Sequence, residues 1–152
     1  MLATILAGCG GSGGGKPPQR VSGPGFSFAA PGGWRVVRSH ELVSAGSGSD
    51  LVQVARFRLL KPYSAALFAK VEKELDVRMA AVAKQTSGRL SGSRVVSASG
   101  VRSHSYEVKT DDRIDQYTFV LSGMREYQLL CRRTASESDQ SCRLLVSGFK
   151  IG

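Results

Sequence analysis

Apolar and polar residues alternate in several short segments, which is the pattern of strands with one buried face. Residues 26–28 alternate as Phe-Ser-Phe, and residues 34–37 continue the pattern after a Pro-Gly-Gly turn. Residues 51–60 form a longer segment, with apolar residues on one face and arginines on the other. The second half of the chain carries four more such segments, at residues 94–98, 101–109, 113–121 and 124–133. Short turns at residues 110–112 and 122–123 join the last three, which predicts an antiparallel meander.

Two other segments follow helical spacing. Between residues 64 and 85, apolar residues recur every three or four positions and form one stripe, made of Leu67, Phe68, Val71, Leu75, Met79 and Val82. The same spacing links Cys142, Leu145, Val146 and Phe149 near the C-terminus. The long stripe fits a helix that packs on its own sheet and also fits a helix that docks in a partner's groove. The first arrangement is the commoner one.

The two faces of the predicted sheet differ in polarity. Tyr106, Phe119 and Leu129 fall on an apolar face, whereas Gln116 and Thr118 mix with apolar residues on the opposite face. Uneven faces predict a sheet that helices cover mainly on one side. The expected fold class is therefore α+β, an antiparallel β-sheet with a long amphipathic helix and a C-terminal helix packed on it.

The residues Leu6-Ala7-Gly8-Cys9 match a bacterial lipobox, in which an aliphatic residue and two small residues precede the cysteine that receives a diacylglycerol group. An export signal also has a basic segment and an apolar core of about 7–15 residues. We therefore interpret residues 1–9 as a truncated lipoprotein signal with its start codon upstream. The alternative is an apolar N-terminus with an incidental cysteine. Lipidation of Cys9 would place the protein on the cell membrane, facing the extracytoplasmic side.

Residues 10–25 are mostly Gly, Ser and Pro and have too little apolar surface to fold. We interpret them as a flexible linker. The Gly/Ser-rich residues 45–49 are likewise predicted to be a loop. The expected organisation is then a signal and lipobox at residues 1–9, a linker at 10–25 and a single α+β domain at 26–152.

The chain is basic, with 21 Lys and Arg residues against 12 acids and a net charge of +9. A basic surplus suits anionic lipids, cell-wall polymers and nucleic acids. The basic residues are scattered singly or in pairs, however, and form no recognisable nucleic-acid module. We expect a generally basic surface, an envelope protein or an anionic envelope component as partner, and no nucleic acid.

The three cysteines divide into one plus two. If Cys9 carries lipid, Cys131 and Cys142 remain, and an exported chain lives where disulfides persist. Cys131 ends the last predicted strand, and Cys142 faces inward from the first turns of the C-terminal helix. A disulfide between them is the prediction, and two buried free thiols are the alternative.

Residues with reactive or metal-binding side chains form no catalytic pattern. The two histidines, His40 and His104, have neither the spacing of a zinc-binding helix nor the sequence context of a serine triad. Residues 111–115 hold three aspartates with an arginine among them, without the spacing of a calcium loop. We therefore expect no enzymatic activity, no metal site and no cofactor.

Candidate ligand-binding residues come from aromatic and basic positions. Trp34, the only tryptophan, packs at the core edge or serves as a ligand platform. A pocket between the long helix and the sheet, near Trp34, Tyr63 and Phe68, would suit a small molecule. An open concave face lined by Arg56, Arg58 and Arg102 would suit anionic partners.

The order of these elements resembles the PsbP-like family. The matching features are Phe26-x-Phe28, the Pro-Gly-Gly-Trp turn, a long helix, a meander that ends in Tyr127-x-Leu129-x-Cys131, and the final Cys142, Leu145 and Phe149. The resemblance covers residues 26–151 and implies an α/β/α sandwich, the fold of a nuclear-transport cofactor and of small actinobacterial lipoproteins. It also implies a non-enzymatic role in binding or assembly. Family members in photosynthesis bind a protein complex and metal ions, but this chain reproduces no metal-ligand set.

These observations lead to two main hypotheses. The first is a lipid-anchored extracytoplasmic binding or scaffolding module, and the second is a small-molecule carrier with its pocket between the long helix and the sheet. An enzyme would require a histidine within reach of both an acid and a serine.

Overall fold

A computed structural model describes residues 15–152, and Cys9 lies outside this range. The described residues form eleven strands and two α-helices. The strands are β1 (Gln19–Gly23), β2 (Phe26–Ala30), β3 (Arg35–Arg38), β4 (Leu42–Ser47), β5 (Asp50–Arg58), β6 (Arg89–Leu90), β7 (Arg94–Ala98), β8 (Val101–Lys109), β9 (Arg113–Ser122), β10 (Arg125–Thr134) and β11 (Lys150–Ile151). The helices are α1 (Phe68–Gln85), which follows a 3₁₀ turn at Ala65–Leu67, and α2 (Gln140–Gly148). Neither helix is long and apolar enough to cross a membrane.

The main sheet is antiparallel and contains eight strands in the order β3-β4-β5-β10-β9-β8-β6, with β7 also pairing with β8. Its centre is the predicted meander, in which β8, β9 and β10 pair in sequence. A smaller sheet has the order β1-β2-β11. The α+β class, the long helix and the C-terminal helix are therefore confirmed.

Both faces of the main sheet are covered. Helix α1 packs Leu75 and Met79 against Tyr106 and Phe119, on the side of β8 and β9. On the other face, α2 and the smaller sheet enclose a larger core that includes Phe26, Phe28, Val54, Leu129, Leu145 and Phe149. The prediction that helices cover mainly one face was wrong. The reason is the register, which aligns Tyr127 with Val120 and so places Leu129 on the face opposite Phe119.

Two predicted irregular segments form strands. The linker predicted at residues 10–25 contains β1, which pairs with β2 in register Val21↔Phe28, and the Val21 side chain is buried. The loop predicted at 45–49 is the end of β4 and its turn into β5. Backbone pairing and one buried side chain stabilise β1 although its composition is polar. The folded domain therefore begins at β1 and not at Phe26.

The face of β5 that carries Arg56 is the buried face of the strand, which is the reverse of the predicted arrangement. Arg56 shares its face with Val52 and Val54, which are fully buried. The neighbouring Phe57 points to the α1 side and is 46% exposed, because α1 lies over β8 and β9 and leaves this part of the sheet open. Val37, on the edge strand β3, is also half-exposed.

Candidate functional site

A surface cleft of about 470 Å³ lies at one end of the domain, between the β2–β3 turn and the start of α2. We call it the Trp34 cleft. Its walls come from four parts of the chain and include Lys16, Pro18, Pro31, Trp34, Asp50, Glu137, Ser138, Ser141 and Leu144. A volume of this size falls within the range of small-molecule sites, about 300–1,000 Å³.

The N-terminal segment holds the turn that carries Trp34. The Gln19 side-chain amide donates hydrogen bonds to the carbonyl oxygens of Pro31 (3.0 Å) and Trp34 (2.8 Å). Gly33 adopts a left-handed conformation with φ of +79°, which only glycine tolerates without strain. The Pro17 carbonyl lies so close to Gly32 that a β-carbon there would overlap it. Pairing of β1 with β2 therefore fixes one wall of the cleft.

The opposite wall is held by the disulfide. Cys131 at the end of β10 is bonded to Cys142 in α2, which confirms the predicted pair. Between them, the Glu137 backbone N–H donates to the Thr134 carbonyl (3.1 Å), and the Arg133 guanidinium donates to the Glu137 carbonyl (2.8 Å). These bonds hold the loop before α2 in one position, and Glu137 reaches the cleft from that loop.

The cleft contains two neighbouring carboxyl groups, those of Asp50 and Glu137. One carboxyl oxygen of Asp50, Oδ1, is buried and has no hydrogen-bond partner among residues 15–152. Burial raises the pKa of Asp50, and the nearby Glu137 carboxyl raises it further. A buried acceptor without a donor costs about 1–3 kcal/mol, so a hydrogen-bond donor that reached this oxygen would stabilise the folded domain.

The structure places only one of the predicted ligand-binding residues in the cleft, and that is Trp34. Tyr63 lies elsewhere, with its backbone N–H donating to the Gly123 carbonyl at the β9–β10 turn (2.8 Å). Arg56 forms a two-bond ion pair with Glu41 (2.7 and 3.1 Å). A small-molecule pocket that joins Trp34 and Tyr63 is therefore not assembled.

The three predicted arginines do not form one surface. Arg56 and Arg58 lie on β5, whereas Arg102 lies on β8, and β10 and β9 separate these two strands. The Arg102 guanidinium stacks over the Phe68 ring at 4.0 Å, on the α1 side of the sheet. The expected concave arginine face is therefore absent from the described domain.

A histidine does lie near both an acid and a serine, but its geometry is not that of a catalytic triad. The Nδ1 atom of the buried His104 is 3.3 Å from Glu72 Oε2 and 3.4 Å from the Ser93 hydroxyl, while Nε2 donates to the Phe68 carbonyl (3.2 Å). A triad requires the serine and the acid on opposite ring nitrogens. Here both lie at Nδ1, and Nε2 is occupied by backbone.

His104 has a structural role instead. Its ring stacks on Phe68 with centroids 3.9 Å apart and ties the first turn of α1 to β8. Burial lowers the pKa of His104, although Glu72 acts in the opposite direction. The neighbouring Tyr106 hydroxyl donates to Asp76 (2.6 Å) and makes a second contact between β8 and α1. This region positions α1 and has no open space for a substrate at Nε2.

Sequence reasoning did not identify Asp50 or Glu137. Asp50 follows Gly48 and Ser49 and has the appearance of a turn residue, and Glu137 lies in a polar loop. The fold brings the two carboxyl groups together without any local spacing that predicts it. Within residues 15–152, no group of three or more His, Cys, Asp or Glu side chains is arranged to hold a metal ion.

Comparison with known proteins finds similarity in structure only. No protein-family model matches the chain, and no curated protein matches it. The solution structure of cyanobacterial PsbP (CyanoP) from Synechocystis sp. PCC 6803 aligns with a TM-score of 0.61 and 16% identity, covering 97% of this chain and 99% of that one. A crystal structure of a protein from Bacteroides thetaiotaomicron aligns with a TM-score of 0.51 and 9% identity, covering 88% of this chain and 48% of that one. The two-sided packing of the sheet and the alignment over nearly the whole CyanoP chain show that this protein has the PsbP-like fold.

Proposed function

We propose that this protein is a lipid-anchored extracytoplasmic binding module without enzymatic activity, and that the Trp34 cleft is its binding site. The observation that carries the binding role is the cleft itself, whose lining combines the aromatic side chain of Trp34 with the carboxyl groups of Asp50 and Glu137. Largely preformed concave sites with a few polar groups are the usual form of ligand sites. In this proposal His104 is a structural residue, since its Nε2 atom donates to the Phe68 carbonyl.

The proposed location depends on two features. The disulfide between Cys131 and Cys142 supports an oxidising compartment, because cytosolic thiols are kept reduced. The lipobox at Cys9 supplies the anchor. Two or more acyl chains hold a protein firmly on a membrane, whereas a single chain does not. A domain of this kind, fixed at the envelope by lipid, would bind or organise an envelope component.

A small-molecule carrier is the second candidate, and the volume of the Trp34 cleft favours it. The carrier pocket was predicted between the long helix and the sheet, but Leu75, Met79 and Tyr106 pack against each other there. A carrier function would therefore use the Trp34 cleft.

The test of the anchored location uses the gene with its upstream sequence, expressed in a bacterium that processes lipoproteins. We expect wild-type protein in the membrane fraction and labelled by an alkyne fatty acid, and Cys9→Ala protein in neither. A Cys131→Ala/Cys142→Ala variant is the matched control, because it loses two cysteines and keeps the anchor. Unlabelled wild-type protein that fractionates with Cys9→Ala would refute the location.

A further inference from the structure

We infer that the Trp34 cleft binds a positively charged nitrogen, a guanidinium or a primary ammonium group carried on a short apolar stem. This inference depends on the proposed role of the cleft as a binding site and specifies the chemistry of its ligand. The source of the charged group is either a free small molecule or an Arg or Lys side chain of a partner protein.

The charge of the cleft is the first argument. The protein as a whole carries a net charge of +9, yet two of the three titratable side chains that line this cleft, on β5 and on the loop before α2, are carboxyls. The Oδ1 atom of Asp50 is buried and has no donor among residues 15–152, and Glu137 lies close enough to act on the Asp50 carboxyl. A cationic N–H donor placed between the two carboxyl groups would form charge-assisted hydrogen bonds with them and relieve the repulsion between them.

The apolar wall is the second argument. Trp34, Pro31 and Leu144 line the cleft beside the carboxyl groups. Tryptophan is the best aromatic partner for a cation, and an alkyl stem gains contact with proline and leucine. The combination of one aromatic ring, two carboxyl groups and aliphatic contacts suits butylguanidinium-like and butylammonium-like groups.

Other ligand classes fit less well. A metal ion lacks ligands, since no third His, Cys, Asp or Glu joins the two carboxyl groups in the described domain. An anion would meet both carboxyls. Lys16 also lines the cleft, and its side chain lies along Gly33. Its ammonium group opposes a cationic ligand and would favour an anionic one, so this residue discriminates between the two classes.

The experiment is a fluorescence titration of the protein, because the chain has a single tryptophan and that tryptophan lines the cleft. The probes are butylguanidinium chloride, the peptide acetyl-Ala-Arg-Ala-amide and sodium butyrate as the anionic counterpart. We expect saturable changes in Trp34 emission with both cations and none with butyrate. Binding of the peptide at least tenfold tighter than butylguanidinium indicates a partner side chain, whereas equal affinities indicate a free small molecule.

Four variants complete the test. Asp50→Asn and Glu137→Gln are each expected to weaken cation binding by about tenfold, because each removes a charged acceptor of similar shape. Lys16→Gln is expected to strengthen it. Glu74→Gln, which removes an exposed acid on α1, on the face of the main sheet opposite α2, is the matched control and should leave binding unchanged.

Thermal unfolding curves verify that each variant is folded. Butyrate binding that Lys16→Gln weakens would overturn the inference and leave the cleft as a site for anions. Cation binding that neither carboxyl variant changes would also overturn it. An absence of any response to all three probes would overturn both this inference and the role of the cleft in the proposed function, while the Cys9 test of the location would stand separately.

Discussion

Loss of the Cys131–Cys142 disulfide should destabilise the domain by an amount that follows from the length of the loop it closes. The two cysteines are 11 positions apart, and both are buried. The loop-entropy relation gives about 3 kcal/mol at 25 °C for a loop of this length. Replacement of both residues by alanine also removes two sulfur atoms from the core, which adds roughly 1 kcal/mol. The expected total is therefore about 3–4 kcal/mol, or a fall in Tm of roughly 10 °C.

Urea unfolding followed by far-UV circular dichroism measures this loss. Oxidised and chemically reduced wild-type protein form the control pair, because they differ in the cross-link and keep both sulfur atoms. We expect the reduced wild type to lose about 3 kcal/mol and the double alanine variant slightly more. Equal urea midpoints for the oxidised and reduced wild type would refute the reasoning.

The same perturbation should be local in its dynamic effect. The disulfide attaches α2 to β10, whereas α1 packs on the other face of the sheet. Amide hydrogen exchange should therefore accelerate in α2 and in the loop that carries Glu137 before it accelerates in α1. Uniform acceleration across both helices would contradict this account of how the cleft wall is held.

Three further predictions concern single residues. Burial lowers the pKa of His104, so the unfolded state binds this proton more tightly than the folded state does. The free energy of unfolding should therefore fall as the pH drops from about 6.5 towards the lowered pKa, by up to about 1.4 kcal/mol per pH unit. In urea titrations at several pH values, His104→Gln should remove this slope, whereas His40→Gln, at an exposed position, should retain it. Asp115→Asn should lower the free energy of unfolding by roughly 2 kcal/mol, because the buried Asp115 carboxylate accepts two hydrogen bonds from Arg132 (2.8 and 3.1 Å). An unchanged urea midpoint would contradict this prediction. Gly148→Ala should lower the free energy of unfolding by about 1–3 kcal/mol, because the added β-carbon would lie 2.5 Å from the β-carbon of Ala29 in β2. Calorimetry measures this loss, and a Tm at or above that of wild type would show that α2 has room to shift.

Much of the fold is predictable because its signals are local. The alternation in residues 101–133 and the helical spacing around Leu75 and Met79 specify β8, β9, β10 and α1 within a few positions. The pairing of Cys131 with Cys142 was predicted from the number of cysteines, with Cys9 assigned to the predicted lipobox. Each of these predictions depends on residues that are close in sequence or on the number of cysteines in the chain.

The errors concern interactions between distant parts of the chain. Strand β1 is polar in composition and becomes ordered because it pairs with β2, which composition does not reveal. The face assignment failed because the register across the β9–β10 turn decides which side Leu129 occupies. For the same reason Trp34 was identified as a candidate from its type alone, whereas Asp50 and Glu137 become recognisable only when the folded loops meet.

Intact-mass analysis of the protein purified from its native membranes tests the central claim, an anchored module of an oxidising compartment, most directly. The account predicts a chain that begins at Cys9, carries diacylglyceryl and acyl groups on that residue, and lacks the two hydrogens removed by one disulfide. It also predicts that the lipid mass disappears in Cys9→Ala protein. An unmodified Cys9 together with reduced Cys131 and Cys142 would contradict the claim.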